Sequence, residues 1–349
     1  MNKSIEYRRV YVKKWLLILL AGISVLATGC TSNITPAKEN VATSTSDVKQ
    51  PVKLTVALDW YPNAVHSFLY AAESQGYFRD ANLQVELKMP SDANDPLKLA
   101  ATDKVDMAIS YQTQAIQAKA EGLPIKSLAA IVREPLNVLM VRADSTVQGP
   151  KDLADKNVGY PALPLDIEVV GHMVETDGGD SSNIRFTDIG FQLIPALSTK
   201  QTDATIGGYI NHEQLILEKN NVPVRLFRLT DYGIPRYYEL VLVTSDQTVV
   251  QKREALDRFQ KAIQKGQAYV VSHPKEALEG LLQHEAKEFP LDKEIEQKSL
   301  EILLPMMDAK GQPFGSQDTA QWQQVINWMA AKKLIPKTFS AQEILPVAK

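Results

Sequence analysis

Short apolar runs recur along the chain from residue 54 onward, separated by stretches with helical spacing. Leu54–Leu58, Leu83–Leu87, Val105–Ser110, Leu128–Val132 and Val138–Val141 read as buried strands. A second series follows at Val158–Tyr160, Ile184–Thr187, Ala204–Gly208 and Val224–Phe227, and Tyr238–Thr244 is one strand more. Strands that alternate with helices predict an α/β fold. The pattern then changes. Residues 250–332 read as almost wholly helical, with Leu256, Phe259, Ile263 and Val270 on one face and Trp322, Ile326 and Met329 on another.

One handover from strand to helix is rich in chemistry. The first strand breaks into Asp59-Trp60-Tyr61-Pro62-Asn63, and a helix is predicted from about Val65 to Gln75. Gly76 is placed to end it in a left-handed turn. Ligands of α/β sheets bind at the carboxyl ends of strands. Trp60, Asn63 and His66 therefore gather a ring, an amide and an imidazole where a flat, polar heterocycle would bind. Two later segments echo each other: Val105-Asp106-Met107-Ala108-Ile109-Ser110-Tyr111 and Thr202-Asp203-Ala204-Thr205-Ile206-Gly207-Gly208-Tyr209. Each begins its strand at Asp and ends in small residues before Tyr. Equivalent strands in two lobes would bring Tyr111 and Tyr209 to a shared cleft from opposite sides.

The N-terminus changes the picture of where the chain works. Lys3, Arg8, Arg9, Lys13 and Lys14 precede an apolar run, Trp15–Ala27, too short to span a bilayer. Residues 1–29 read as an export signal. Leu26-Ala27-Thr28-Gly29-Cys30 resembles the bacterial lipobox, which implies a lipidated Cys30. Cys30 is the sole cysteine, so a disulfide within the chain and multi-thiolate zinc sites are excluded. Residues 30–52, rich in Thr, Ser, Asn, Lys and Pro, read as a flexible tether. Five basic residues against Glu6 give the signal a net +4, which leaves −7 on the remainder against −3 for the whole chain. That balance argues against nucleic acid as a partner. His172, His273 and His284 have no partners at metal-ligand spacing, so no metal site is expected.

About 300 residues remain after the tether, enough for two lobes. LDWYPNAVHSFLYAA, VDMAISYQTQAIQAKAEGLP, VGYPALP, GGYINHE and DYGIPRYYELVLV resemble the substrate-binding proteins of ABC importers that carry pyrimidine precursors of thiamine. The resemblance spans roughly residues 53–340. It implies a type II periplasmic-binding-protein fold, with lobe one at 51–143 plus 237–349 and lobe two at 144–236. It further implies a monomer anchored by lipid at the outer face of a bacterial cell membrane. The partners would be an aminopyrimidine, a permease and its ATPase, and no cofactor is expected.

An aminopyrimidine needs aromatic cover on its faces, worth of order 1 kcal/mol per good contact. Its amine beside a ring nitrogen suits a carboxylate. Glu213, in Gly207-Gly208-Tyr209-Ile210-Asn211-His212-Glu213, stands at a helix start after a strand. The residues alone leave it as either a macrodipole-favoured glutamate or a ligand carboxylate. The resemblance implies ligand contact by Glu213, Trp60, Asn63, His66, Tyr209 and Asn211. Tyr111, Tyr160 and Tyr232 are further aromatic candidates, and Asp166 and Glu239 further polar ones. Alternative ligands are another planar heterocycle such as riboflavin, or a sulfonate or nitrate. Anion binders need Arg, Lys or free backbone N–H groups in the cleft.

The rival from a different class is an enzyme. Yeast proteins of the same fold make the pyrimidine themselves, using pyridoxal phosphate on a lysine, a sacrificed histidine and a cysteine-rich iron motif. In the matching stretch here the lysine position is Ser110 and the histidine position is Gln114. The cysteine-rich segment is replaced by Ile206-Gly207-Gly208-Tyr209-Ile210-Asn211-His212. Without Schiff-base lysine, thiols or donor histidine that chemistry has no agents.

Overall fold

The computed structural model describes residues 50–346. Cys30, the export signal and nearly all of the tether lie outside the described residues. In chain order the first part reads β1 (Val52–Ala57), α1 (Ser67–Ser74), α2 (Tyr77–Asp80), β2 (Leu83–Lys88), α3 (Asp95–Ala101), β3 (Met107–Ser110), α4 (Gln112–Ala120) and β4 (Ile125–Val132). Next come β5 (Asn137–Arg142), β6 (Asn157–Tyr160), α5 (Pro164–Thr176), β7 (Arg185–Asp188), α6 (Leu193–Ser198), β8 (Ala204–Tyr209), α7 (Glu213–Lys219) and β9 (Val224–Arg228). The chain then returns through β10 (Leu240–Ser245) to α8 (Asp246–Ser272), α9 (Pro274–Leu282), α10 (Lys293–Met307) and α11 (Thr319–Ala331).

The strands form two five-stranded sheets, ordered β2-β1-β3-β10-β4 and β7-β6-β8-β5-β9. The two orders match position for position. In each, three parallel strands are followed by an antiparallel one, β10 beside β3 or β5 beside β8. The echo between the two Asp-to-Tyr segments thus has a structural basis, since β3 and β8 hold the same central place. Even their leading aspartates act alike. Asp106 Oδ2 accepts from the Thr55 N–H of β1 at 2.9 Å, and Asp203 Oδ2 accepts from the Asn157 N–H of β6 at 2.8 Å.

One strand departs from the expected division. Val138–Val141, assigned from sequence to the first lobe, lies in β5 and pairs with β8 and β9 of the second sheet. The first crossing is therefore residues 133–136, not the expected boundary between 143 and 144. Both β4 and β5 are buried apolar runs joined by a short link, and periodicity does not tell which sheet a buried run joins. Contacts from far away decide it: Glu239 Oε2 accepts from the N–H groups of Leu136 and Asn137 at 2.7 and 2.9 Å. That carboxylate sits on the return crossing, so it staples the two links together.

The C-terminal helices build out the first lobe. Helix α8 lies so close on α1 that a Cβ at Gly266 would come within 2.2 Å of the Phe68 carbonyl oxygen. Trp322 of α11 is completely buried and meets Tyr238, two residues before β10, at 6.4 Å. Among the described residues no helix is long and apolar enough to cross a membrane.

Candidate functional site

The chain leaves β1 into a tight turn whose polar groups are largely self-satisfied. Asn63 Oδ1 accepts from the Val65 N–H at 3.1 Å, which caps the short 3₁₀ turn Ala64–His66, and its amide donates to the Tyr61 carbonyl at 3.1 Å. His66 Nδ1 accepts from the Asn63 N–H at 3.2 Å. That assignment leaves the proton on Nε2, which donates to Asp59 Oδ1 at 2.9 Å. Both ring nitrogens are thereby used, the residue is 0% exposed, and it does not line the cleft. His66 supports the turn from behind rather than meeting a ligand, contrary to the expectation from sequence. Trp60 and Asn63 do line the cleft. Trp60 meets Phe191 of the second lobe edge-on at 4.4 Å, and its indole N–H has no partner.

The facing wall comes from the end of β8. Gly207 has φ +91°, and a Cβ there would press within 2.5 Å of the Pro161 ring. Glycine at this point lets the backbone run close beneath the cleft. After Tyr209 the chain turns through Asn211 and His212 into α7. Glu213 Oε2 accepts from the Tyr209 N–H at 2.9 Å, and its Oε1 lies 2.8 Å from His212 Nδ1. His212 Nε2 is 3.6 Å from Glu296 Oε1 of α10, and Glu296 Oε2 accepts from the Ala64 N–H at 2.7 Å. Burial opposes a charge on His212, but the carboxylates of Glu213 and Glu296 outweigh it and raise the imidazole pKa. Burial likewise opposes charge on Glu213, and His212 with the backbone donors overcomes it, so its pKa is lowered. Glu213 is thus an ionised acceptor, 4% exposed, with lone pairs to spare. Asn211 donates to Ser299 Oγ of α10 at 2.9 Å, and its Oδ1 is unpartnered.

The floor is made where the crossings meet. The phenols of Tyr209 and Tyr237 both reach Glu239, each at 3.3 Å. Burial, against the hydrogen bonds of Asn137, Leu136 and the two tyrosines, raises the Glu239 carboxyl to about 7. Asp166, in the first turn of α5, is raised to about 8 by burial and by Glu239, with the Asn137 amide pulling the other way. Its Oδ2 has no hydrogen-bond partner. Burial also holds the phenols of Tyr111, Tyr209 and Tyr237 well above their ordinary range, so they remain donors.

Of the residues expected from sequence, Trp60, Asn63, Tyr111, Tyr209, Asn211 and Glu213 line one cleft, together with Asp166 and Glu239. It encloses about 1060 Å³ of empty space, its open mouth included. Tyr160 and Tyr232 do not join them. Tyr160 shares its strand parity with the core residue Val158 and meets Phe186 edge-on at 6.5 Å. Tyr232 ends an outlying 3₁₀ turn and packs on Phe227 at 6.5 Å. Sequence reasoning passed over His212, Asn137, Thr113 and Trp328, all of which line the cleft. His212 stood inside the quoted Gly-Gly-Tyr motif beside Glu213, which raises it most, and the second carboxylate that raises it, Glu296, lies 84 positions away. Ser110 Oγ donates to Gln114 Oε1 at 2.6 Å, and Gln114 donates to Asn94 at 2.7 Å. No lysine or arginine lines the cleft, and among the described residues no group of three His, Cys, Asp or Glu could hold a metal ion.

The family model described as NMT1/THI5 like matches residues 63–277. The formylaminopyrimidine-binding protein of Halalkalibacterium halodurans is 40% identical over 300 residues, 85% of this chain and 91% of that one. A putative thiamine biosynthesis protein of Haemophilus influenzae is 33% identical over 293 residues, 83% of this chain and 90% of that one. A 4-amino-5-hydroxymethyl-2-methylpyrimidine phosphate synthase of Saccharomyces cerevisiae is 23% identical over 235 residues, 64% of this chain and 69% of that one. In structure the alkanesulfonate-binding protein of Xanthomonas axonopodis pv. citri superposes with a TM-score of 0.64 at 13% identity, over 84% of this chain and 98% of that one. That likeness fixes the fold as the periplasmic-binding-protein type.

Proposed function

We propose a function from one premise: the chain belongs to the NMT1/THI5-like family. Within it, the protein is the solute-binding component of an ABC importer. Its ligand is an aminopyrimidine precursor of thiamine, and it acts on the outer face of the membrane, held there by lipid on Cys30. The observation that carries the ligand class is the lining of the cleft. Trp60, Tyr111 and Tyr209 offer aromatic cover, Glu213 offers an ionised acceptor, and no lysine or arginine lines the cleft. A ring with an amine donor suits such a lining, whereas a sulfonate or nitrate would meet no lysine or arginine, and the His212 imidazole already faces Glu213 and Glu296. The name of the Halalkalibacterium halodurans relative points to the same class.

The enzyme reading has less support. Ser110 and Gln114 stand at the two positions where the resemblance would place lysine and histidine, and they are bonded to each other. Isothermal titration against formylaminopyrimidine, hydroxymethylpyrimidine, thiamine, riboflavin, taurine and nitrate tests the proposal. Tightest binding is expected for one of the two pyrimidines. Preference for riboflavin or for either anion would overturn the ligand class. Cys30→Ser is expected to release the protein from membranes or leave its precursor unprocessed, and unchanged fractionation and processing would remove the anchor.

A further inference from the structure

Asp166 is a buried carboxyl with an oxygen that nothing in the protein uses. It is 7% exposed and lines the cleft. Asn137 lowers the carboxyl's pKa from beside it, and Asn137 Oδ1 accepts from the Gly207 N–H at 2.9 Å. The Asp166 Oδ2 has no hydrogen-bond partner. Its position relative to Glu213 follows from two neighbouring glycines. A Cβ on Gly207 would lie 3.6 Å from Asp166 Oδ2, and a Cβ on Gly208 would lie 3.4 Å from Glu213 Cβ. The two carboxyl groups thus flank the end of β8 from different sides.

We propose that Asp166 is a specificity-determining ligand contact that donates a hydrogen bond from Oδ2 to a carbonyl oxygen on the side arm of the ligand, opposite the pole that Glu213 offers to the ring amine. The inference rests on the pyrimidine reading above and adds a second chemical requirement to it. The charged and titratable groups that face Asp166 are Glu239 on the return crossing and the phenols of Tyr111 and Tyr237. None of these is a cation. Glu239 Oε2 is filled by Leu136, Asn137 and Tyr237, and its Oε1 takes the Tyr209 phenol. A carboxyl beside that group keeps its proton to about pH 8. A buried O–H without an acceptor is costly, and a ligand that brings a carbonyl oxygen removes the cost. A ligand that brought a cationic amine would do the reverse and would bind better as the proton left.

The test compares two probes, formylaminopyrimidine and 4-amino-2,5-dimethylpyrimidine, which keeps the ring and amine but lacks the side-arm oxygen. Dissociation constants are measured between pH 7 and 9.5 for the wild-type protein, Asp166→Leu and Asp166→Asn. The ratio of the two constants cancels effects of His212 and Glu213 on the shared ring. In the wild type the preference for the formyl probe is expected to fall about tenfold per pH unit above pH 8. Asp166→Leu should lose about ten- to a hundredfold on the formyl probe and little on the other. Asp166→Asn keeps a donor without a titration, so its preference should persist and become independent of pH. Equal losses on both probes in Asp166→Leu would overturn the inference and leave the pyrimidine reading standing. A wild-type preference that is flat or rises with pH would do the same. If the wild type binds neither probe, the pyrimidine reading fails and the inference falls with it.

Discussion

Glu213 and Asp166 are both buried carboxyls of the second lobe, and both stand in the first turn of a helix that follows a strand. Their surroundings differ in one respect. Glu213 has an imidazole at 2.8 Å and a backbone donor at 2.9 Å, whereas Asp166 faces another carboxyl, Glu239. Removing a carboxylate from water is costly in both places. At Glu213 the cost is offset by a charged partner, so the group stays an acceptor. At Asp166 it is avoided by holding a proton, so the group becomes a donor. Burial alone therefore does not set what a cleft carboxyl offers to a ligand; the neighbour does.

The largest effect should come from breaking the Glu213 pole. Glu213→Gln keeps the shape but removes the charge that His212 answers and supplies a donor where an acceptor stood. Affinity for an aminopyrimidine is expected to fall roughly ten- to a few hundredfold by titration, and less for a keto analogue. Equal losses for the two would mean that Glu213 only starts its helix. Trp60→Ala should cost about fivefold to tenfold, alike for every planar ligand, because stacking does not read the ring edge. A loss confined to aminopyrimidines would contradict that.

The two poles also differ in how they should respond to pH. Asp166 and Glu239 have folded pKa values of about 8 and about 7, above the ordinary carboxyl values of 3.8 and 4.5. The folded state then holds more protons than the unfolded one between those limits. Stability of the empty protein should therefore fall as pH rises from about 4 to 8. His212 is raised as well, so its ion pair adds stability below the ordinary imidazole value and loses it as pH climbs through the folded one. Melting temperatures at pH 5 and pH 8.5 measure the sum. Asp166→Asn should flatten part of the slope and melt a few degrees higher at pH 8.5. An unchanged slope would show that Asp166 is ionised in the empty cleft.

The smallest effect serves as the control. Lys219 of α7 meets Asp292 at 2.8 Å and Glu294 at 3.1 Å beside α10, but all three are substantially exposed. Lys219→Ala is expected to shift the melting temperature by no more than about one degree, and by less at high salt. A larger shift would mean that exposed contacts, not the buried ones, hold the rim of the cleft.

The alternation of strands and helices and the echo of Asp106 with Asp203 were legible because they are local patterns, and the resemblance led to Trp60, Tyr209 and Glu213, which line the cleft. What escaped was set by contacts between distant positions. Neither the placement of β5 nor the acidic character of Asp166 follows from its own neighbours; each depends on Glu239, about a hundred and about seventy positions away, respectively. His66 misled for the same reason in reverse. Its position suggested a ligand, while Asp59 and the Asn63 N–H had already taken both nitrogens. Tyr160 was lost to strand parity, which a four-residue strand gives little room to read.

Glu239 binds the backbone of one crossing from its place on the other, and it also receives the Tyr209 phenol at the bottom of the cleft. The link between the two sheets and the floor of the cleft thus share one carboxylate, and a substitution at Glu239 touches both at once.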